Sequence, residues 1–215
     1  MIEASLLKKR LIIMGSGGHA KVVIEAFRED DQVQIVGLLS VHVEERDILG
    51  VPILGTDDLL AALRRDGVEL CFAAIGDNDL RTRAAERAIN EGFELANVFS
   101  KGASVSPSAR FGTGILVAAG AVVNADARID DFAIINTGAS VDHDCHVGEA
   151  AHIAPGAVLC GSVTVGAQAM VGAGATVIPG VSIGSGARIA AGACVIRSVP
   201  SKALARGVPA RVFPV

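Results

Sequence analysis

The chain has 215 residues, 51% of them apolar, a mean hydropathy of +0.50 and a formal net charge of −4. With 3% aromatic residues and neither Trp nor Tyr, a base-stacking nucleic-acid surface is not expected, and the acidic balance argues against a general polyanion binder. The uncharged stretch from Ala150 to Ala187 holds eight Gly and two Pro, so it lacks the roughly 20 apolar residues in a row of a membrane span.

Charge divides the chain. Residues 1–100 carry 28 of the 42 charged residues and are acidic, whereas 101–215 are sparsely charged and slightly basic, with no acidic residue beyond Glu149. In the first half, Leu11-Ile-Ile-Met14 reads as a strand, Gly15-Ser-Gly-Gly-His19 as a break, and Ala20 to Arg28 as a helix. Val33–Leu39 and Leu70–Ile75 read as further strands, and Asp57–Arg65 and Asp79–Glu91 as helices opened by an Asp. Strands alternating with helices predict a small parallel α/β sheet.

The second half follows one rule. From Val105 to Val195 every sixth residue is aliphatic, Phe111 excepted, through sixteen hexads without an insertion, and four residues after each comes a small or aliphatic residue, Ala in eleven cases. Neither a helix nor an alternating strand repeats every six residues; a parallel β-helix does, with three hexads to a triangular coil. The expected architecture is a Rossmann-like βαβ domain over residues 1–102 followed by a left-handed parallel β-helix over 103–215 with a short C-terminal cap. The cysteines (Cys71, Cys145, Cys160 and Cys194) have no CxxC spacing and read as buried thiols.

Five segments carry a resemblance: Ile12-Ile-Met-Gly-Ser-Gly-Gly-His-Ala-Lys21, Ala74-Ile-Gly-Asp-Asn78, Ile134-Ile-Asn-Thr137, Val141-Asp-His-Asp-Cys145 and Gly207-Val-Pro-Ala-Arg211. With them the chain resembles the bacterial left-handed β-helix acetyltransferases that acetylate the 4-amino group of UDP- or GDP-linked amino sugars, the bacillosamine and perosamine type. Sialic acid O-acetyltransferases are close relatives. The resemblance implies acetyl-CoA as cosubstrate, a homotrimer with acetyl-CoA in a groove between neighbouring β-helices, and a nucleotide-linked amino sugar as the partner molecule. With no basic and apolar leader at Met1-Ile-Glu-Ala, a cytoplasmic protein without membrane or nucleic-acid partner is expected.

His143 is the expected general base, since acyl transfer to an amine needs a group that takes a proton near neutral pH. The resemblance gives Asp144 the role of raising its basicity; the spacing itself leaves Asp142 equally placed. It also implies that His152, Gly161, Ala173 and Ala191 contact acetyl-CoA, with the Gly161 N–H near the thioester carbonyl, and that Asn136 lies beside the acceptor sugar. Gly15, Ser16, Gly17, Gly18 and His19 fit a phosphate-binding loop between strand and helix. No carboxylate ends the second strand, which closes on Ser40 ahead of Val41-His42; a dinucleotide is therefore not expected, and the base of the sugar nucleotide is left open. Ser40, Asp77 and Asn78 complete the expected sugar-nucleotide site at one sheet edge. His143, His146 and His152 stand at different points around one coil and face different directions, so no metal site is expected. Direct attack by the amine is preferred over an acyl-cysteine. The readings that stay open are O-acetylation of a sialic-acid-like sugar and a non-enzymatic β-helix scaffold.

Overall fold

A computed structural model describes residues 8–41 and 46–213; His42 lies outside them. The first architecture runs β1 (Lys9–Met14), α1 (Gly18–Arg28), β2 (Val33–Leu39), β3 (Asp47–Ile48), β4 (Val51–Gly55), α2 (Leu60–Arg65), β5 (Leu70–Ala73), α3 (Asn78–Asn90) and β6 (Glu94–Leu95). The sheet order is β3-β4-β2-β1-β5-β6, parallel throughout except for the β3–β4 hairpin. Alternation along β1 sends Leu11 and Ile13 to the core shared with α1, and Ile12 and Met14 to the core shared with α3. The chain winds from β1 toward β2 in one direction and returns to β5 on the other side of β1. The C-terminal ends of β1 and β5 therefore flank the switch point of the sheet, where open α/β sheets bind ligands.

β7 (Val98–Phe99) begins the second architecture, since Phe99 stands one hexad ahead of Val105. Each following hexad gives one two-residue strand whose second residue points inward, and strands pair parallel with those 18 residues away: Val117 with Ile135, Ile153, Val171 and Ile189 in turn. The result is a left-handed β-helix with three sheets as its sides. The inward aliphatics and the small residues four positions later form one buried column from Ile115 to Ala205. Each large member, buried fully, contributes about 1.5–3 kcal/mol. Phe111, the exception to the aliphatic rule, packs edge-on against Phe99 with ring centroids 5.0 Å apart, so two aromatic rings fill the first coil.

Corners set the backbone demand. Three residues after each inward aliphatic, from Gly114 to Gly192, φ is positive, near 60°. Eight of these positions are Gly; the others are Asp126, Phe132, Asp144, Ala150, Ser162 and Gln168. A side chain there costs about 1–2 kcal/mol, which the regular ladder on either side imposes. The last coil is closed by a hairpin: Leu204–Gly207 pairs with Arg188–Ile189 and then with Ala210–Phe213.

The two architectures share their cores. Outward-facing Val98, Leu116 and Ile134 of one β-helix side join the α1 core, and corner residues Phe132 and Ala150 join the α3 core. The same side carries His152 one coil further on, which places it at the switch point of the sheet.

Candidate active site

His143 stands on the corner after the strand Ser140–Val141. Asp142 Oδ1 accepts hydrogen bonds from the His143 N–H (2.7 Å) and from Asn124 Nδ2 one coil away (3.0 Å), fastening the turn. Asp144 takes the positive φ of the corner at 59°, a conformation Asp tolerates better than most residues. Its Oδ2 sits 2.8 Å from His143 Nδ1. The sequence left two carboxylates to choose from, and the structure gives them different tasks: Asp144 holds the ring and Asp142 holds the backbone. With its proton on Nδ1 and shared with Asp144, the neutral imidazole presents the Nε2 lone pair outward. The hydrogen bond that His143 donates to Asp144 and then the charge of Asp142 raise the His143 pKa above its ordinary value.

Gly161 lies one coil beyond His143. A Cβ on Gly161 would meet His143 Cε1 and Nε2 at 2.6 Å, so only glycine lets the ring lie where it does. Among the described residues the Gly161 N–H makes no backbone hydrogen bond, while its carbonyl accepts from Gly180. A free N–H therefore lies next to the imidazole. The neighbouring Cys145 thiol donates to the Cys160 carbonyl, and burial raises its pKa, so it is held as a protonated structural group.

The other expected acetyl-CoA residues lie on a different edge. Ala173 and Ala191 follow the strands Met170–Val171 and Arg188–Ile189, whereas His143 and Gly161 follow Ser140–Val141 and Val158–Leu159. One side of the prism separates the two edges, and its outward residues, Ser104, Val122, Ser140, Val158, Thr176 and Cys194, carry no charge. Asn136 begins the Ala173 edge. Its Oδ1 accepts from the Thr137 N–H (2.8 Å), which orients its Nδ2 toward His152 Nε2 at 3.0 Å. His152 Nε2 is thus an acceptor, and its proton resides on Nδ1, pointing toward the α/β domain.

That domain supplies the crevice facing His152. Gly15 has φ 110°, and a Cβ there would lie 2.8 Å from the Ala74 carbonyl, so the glycine loop and the Ala74–Asn78 segment touch across the switch point. Ser16 and Ser40 join their hydroxyls at 2.6 Å. Gly17 and Gly18 face open space, and the α1 N-terminus has neither a side-chain cap nor an acidic residue in its first turn. Its free N–H groups and positive dipole end suit an anion. His19 lies beside His152, with ring centroids 6.4 Å apart. Burial and then the Arg81 charge push both pKa values down to about 4, so both rings are neutral at pH 7.

Two expected contact residues turn out to serve the fold as well. Asp77 caps α3, accepting from the Leu80 N–H at 2.9 Å. The Asn78 amide is committed at both ends, to the Gln168 carbonyl and to Arg81. They still border an interdomain cavity of about 320 Å³ that is also lined by Gln168, Met170, Arg188 and Lys202. Sequence reasoning missed Arg81, which is 1% exposed. The signal was available: Arg81 lies on the same helix stripe as buried Ala84, Ala85 and Ala88, where a charge is out of place.

His146 is apart from all of this, on the third side, bonded through Nε2 to Asp130 at 2.6 Å. Burial works against the Asp130 carboxylate, but hydrogen bonds from His146 and Arg128 outweigh it and lower its pKa. Among the described residues no group of three or more His, Cys, Asp or Glu side chains is gathered to hold a metal.

The PglD N-terminal domain matches residues 10–88, and the bacterial transferase hexapeptide (six repeats) matches residues 162–197. No curated protein matches the chain by sequence. Among solved structures, a histidine variant of perosamine N-acetyltransferase from Caulobacter crescentus, in complex with CoA and GDP-perosamine, is 46% identical. The match covers 99% of this chain and 100% of that one with a TM-score of 0.94. The acetyltransferase domain of PglB from Neisseria gonorrhoeae, in complex with acetyl coenzyme A, is 34% identical over 96% of this chain and 100% of that one, with a TM-score of 0.89. WeeI from Acinetobacter baumannii shares the fold at 23% identity, covering 94% of this chain and 99% of that one at a TM-score of 0.85. At 46% and 34% identity over nearly the whole of both chains, the chain belongs to the hexapeptide-repeat N-acetyltransferase family of perosamine N-acetyltransferase and the PglB acetyltransferase domain.

Proposed function

We propose that the protein is an acetyl-CoA-dependent N-acetyltransferase acting on the 4-amino group of a UDP- or GDP-linked amino sugar, with His143 as general base. The observation that carries this reading is the His143 corner: Nδ1 held by Asp144, Nε2 free, and an unladdered N–H at Gly161 beside it. The imidazole Nε2 takes a proton from the sugar amine as the nitrogen forms its bond to the thioester carbon. Gly161 N–H donates to the oxyanion that develops on the carbonyl oxygen. The intermediate then collapses, the C–S bond breaks, and His143 returns the proton to the departing CoA thiolate. A positioned base of this kind contributes about 10²–10⁴-fold.

Acetyl-CoA contacts are assigned to Gly161, Ala173, Ala191 and His152, and sugar-nucleotide contacts to the Gly15–His19 loop, Ser40, Asp77, Asn78 and Asn136. Gly161 and the two alanines stand on different edges of one prism, so a single cosubstrate reaches both only if two copies pack with the uncharged side between them. This supports a homotrimer with the transfer site between neighbouring subunits. Among the described residues no helix is long and apolar enough to cross a membrane; we assign the enzyme to the cytoplasm, where acetyl-CoA and sugar nucleotides occur together.

Thiol release from acetyl-CoA, followed with UDP-, GDP- and dTDP-linked 4-amino sugars and with sialic acid, tests the reading. Turnover is expected with an amino sugar and falls by about 10²-fold or more in His143→Ala. Turnover confined to sialic acid would assign O-acetylation instead, and none with any acceptor would favour a scaffold. Sedimentation of a monomer would remove the shared groove.

A further inference from the structure

At each corner the carbonyl of the residue with positive φ stays outside the backbone ladder. On the edge facing α3 these are Phe132, Ala150 and Gln168, one per coil, stacked at the interstrand spacing of about 4.8 Å. The first turn of α3 meets all three. Arg81 Nε donates to the Phe132 carbonyl (2.8 Å), Arg81 Nη2 to the Ala150 carbonyl (2.7 Å) and Asn78 Nδ2 to the Gln168 carbonyl (2.9 Å). The rest of the guanidinium reaches back into its own domain, to the carbonyls of Ile75 (3.0 Å) and Gly76 (3.2 Å) and to Asn78 Oδ1 (2.9 Å).

All five N–H groups of this buried arginine are therefore taken, every one by a neutral acceptor. None of the ion pairs among the described residues includes it. Bringing a guanidinium out of water is costly, and most such groups are paired with a carboxylate. Here a carboxylate would satisfy two donors and leave the carbonyls of two coils and a loop bare. What the charge accomplishes is geometric: it joins the crevice wall Ile75–Asn78, which touches Gly15 on its other side, to two coils of the β-helix at a fixed height.

We propose that Arg81, with Asn78 as its partner, is the positioning residue that aligns the sugar-nucleotide crevice with the β-helix, and through it the acceptor amine with the acetyl-transfer edge. Buried and fully bonded, Arg81 does not touch substrate; it acts through the wall it holds. The inference rests on the reading of the crevice as the sugar-nucleotide site.

Arg81→Met in the full chain tests it with two readouts. The KM for the sugar nucleotide is expected to rise about tenfold or more while the KM for acetyl-CoA stays within about twofold, because displacement of one reactant by an ångström costs up to ~10²-fold in rate. In ligand-free protein, calorimetry is expected to resolve the single unfolding transition of the wild type into two as the domains uncouple. Arg81→Lys, which keeps the charge and loses the fork, should fall between them. A Met variant that unfolds in one transition with the sugar-nucleotide KM within twofold of wild type would overturn the assignment, as would equal losses toward both substrates. Should neither variant fold, hydrogen exchange of the wild type decides: amides of 75–78 opening together with coils 132–168 support the clasp, and opening independently overturns it. If the wild type acetylates no nucleotide sugar, the functional reading fails, while the calorimetric result still judges the clasp.

Discussion

At the scale of single residues, the proposed chemistry is concentrated in one Asp-His-Asp turn whose two carboxylates make different contacts. Because the Asp144 bond raises the His143 pKa, activity should decline as pH falls through that raised value, where the base becomes protonated. Asp144→Asn takes the charge out of the bond, lowers the pKa and should move the acid limb of kcat/KM to lower pH, with a reduced plateau; a pH–rate profile reads both. Asp142→Asn is the contrast, with a smaller shift, because Asp142 acts through charge and backbone. Gly161→Ala places a methyl against Nε2 and displaces a side chain rather than a backbone. We expect kcat to fall by about 10–10²-fold with melting little changed, measured by steady-state kinetics beside calorimetry. His143 was legible in sequence as a candidate, since the motif is compact. The division of labour between its neighbours was not: it depends on Asp144 adopting positive φ, which only the corner of a coil dictates.

Elements tell a similar story. The hexad rule predicted every strand from Ser104–Val105 to Cys194–Val195, because a side chain pointing to the axis of a narrow prism has no tolerance for polarity. The hexad rule stopped short of β7, where the inward residue is Phe99, and in the first half β3, β4 and β6 were not read as strands. It also gave no hint that α3 starts at Asn78 under an Asp77 cap, so two residues expected only at the substrate are also structural. The αL corners permit an element-level prediction. Ser162→Gly relieves an exposed positive-φ residue and should stabilise the protein by up to about 1 kcal/mol. Gly172→Ala should do the reverse, costing about 3 kcal/mol or more or blocking folding, since its Cβ would lie 2.5 Å from the Ile189 carbonyl and 2.6 Å from the Ala191 nitrogen. Thermal melting of the pair separates corner strain from coil-to-coil collision.

For the molecule as a whole, the joint between domains is where pH should be felt. His152 is buried and His19 half-buried, both neutral with pKa values of about 4, whereas in the unfolded chain each titrates near 6.5. The unfolded state therefore binds more protons across that interval. The stability is fully present above pH 6.5 and is lost as pH falls toward 4, at up to about 1.4 kcal/mol per pH unit for each ring. Asp130 adds a loss only at lower pH, and exposed His143, with its raised pKa, contributes weakly and with opposite sign. Calorimetry from pH 7 to 4.5 should show a falling melting temperature, and His19→Asn should flatten the dependence. The only sign of this joint in the sequence was the charge of Arg81 on an otherwise apolar helix stripe; the contact itself arises where two sequence grammars meet and neither period describes it.

The corner carbonyls carry a consequence for how such a chain can lengthen. A solenoid grows in units of one coil, here 18 residues, and a unit spliced in anywhere satisfies the ladder equally well. Arg81 and Asn78 break that equivalence, because their donors span three adjacent rungs and cannot stretch to a fourth. A duplicated coil inserted beyond Gly186 should be accepted as a longer prism with its joint intact. The same 18 residues inserted between Phe132 and Ala150 would part the two carbonyls held by one guanidinium. Growth is thus free toward the C-terminal end and locked across the three coils gripped by α3, and the His143 turn lies within that locked interval.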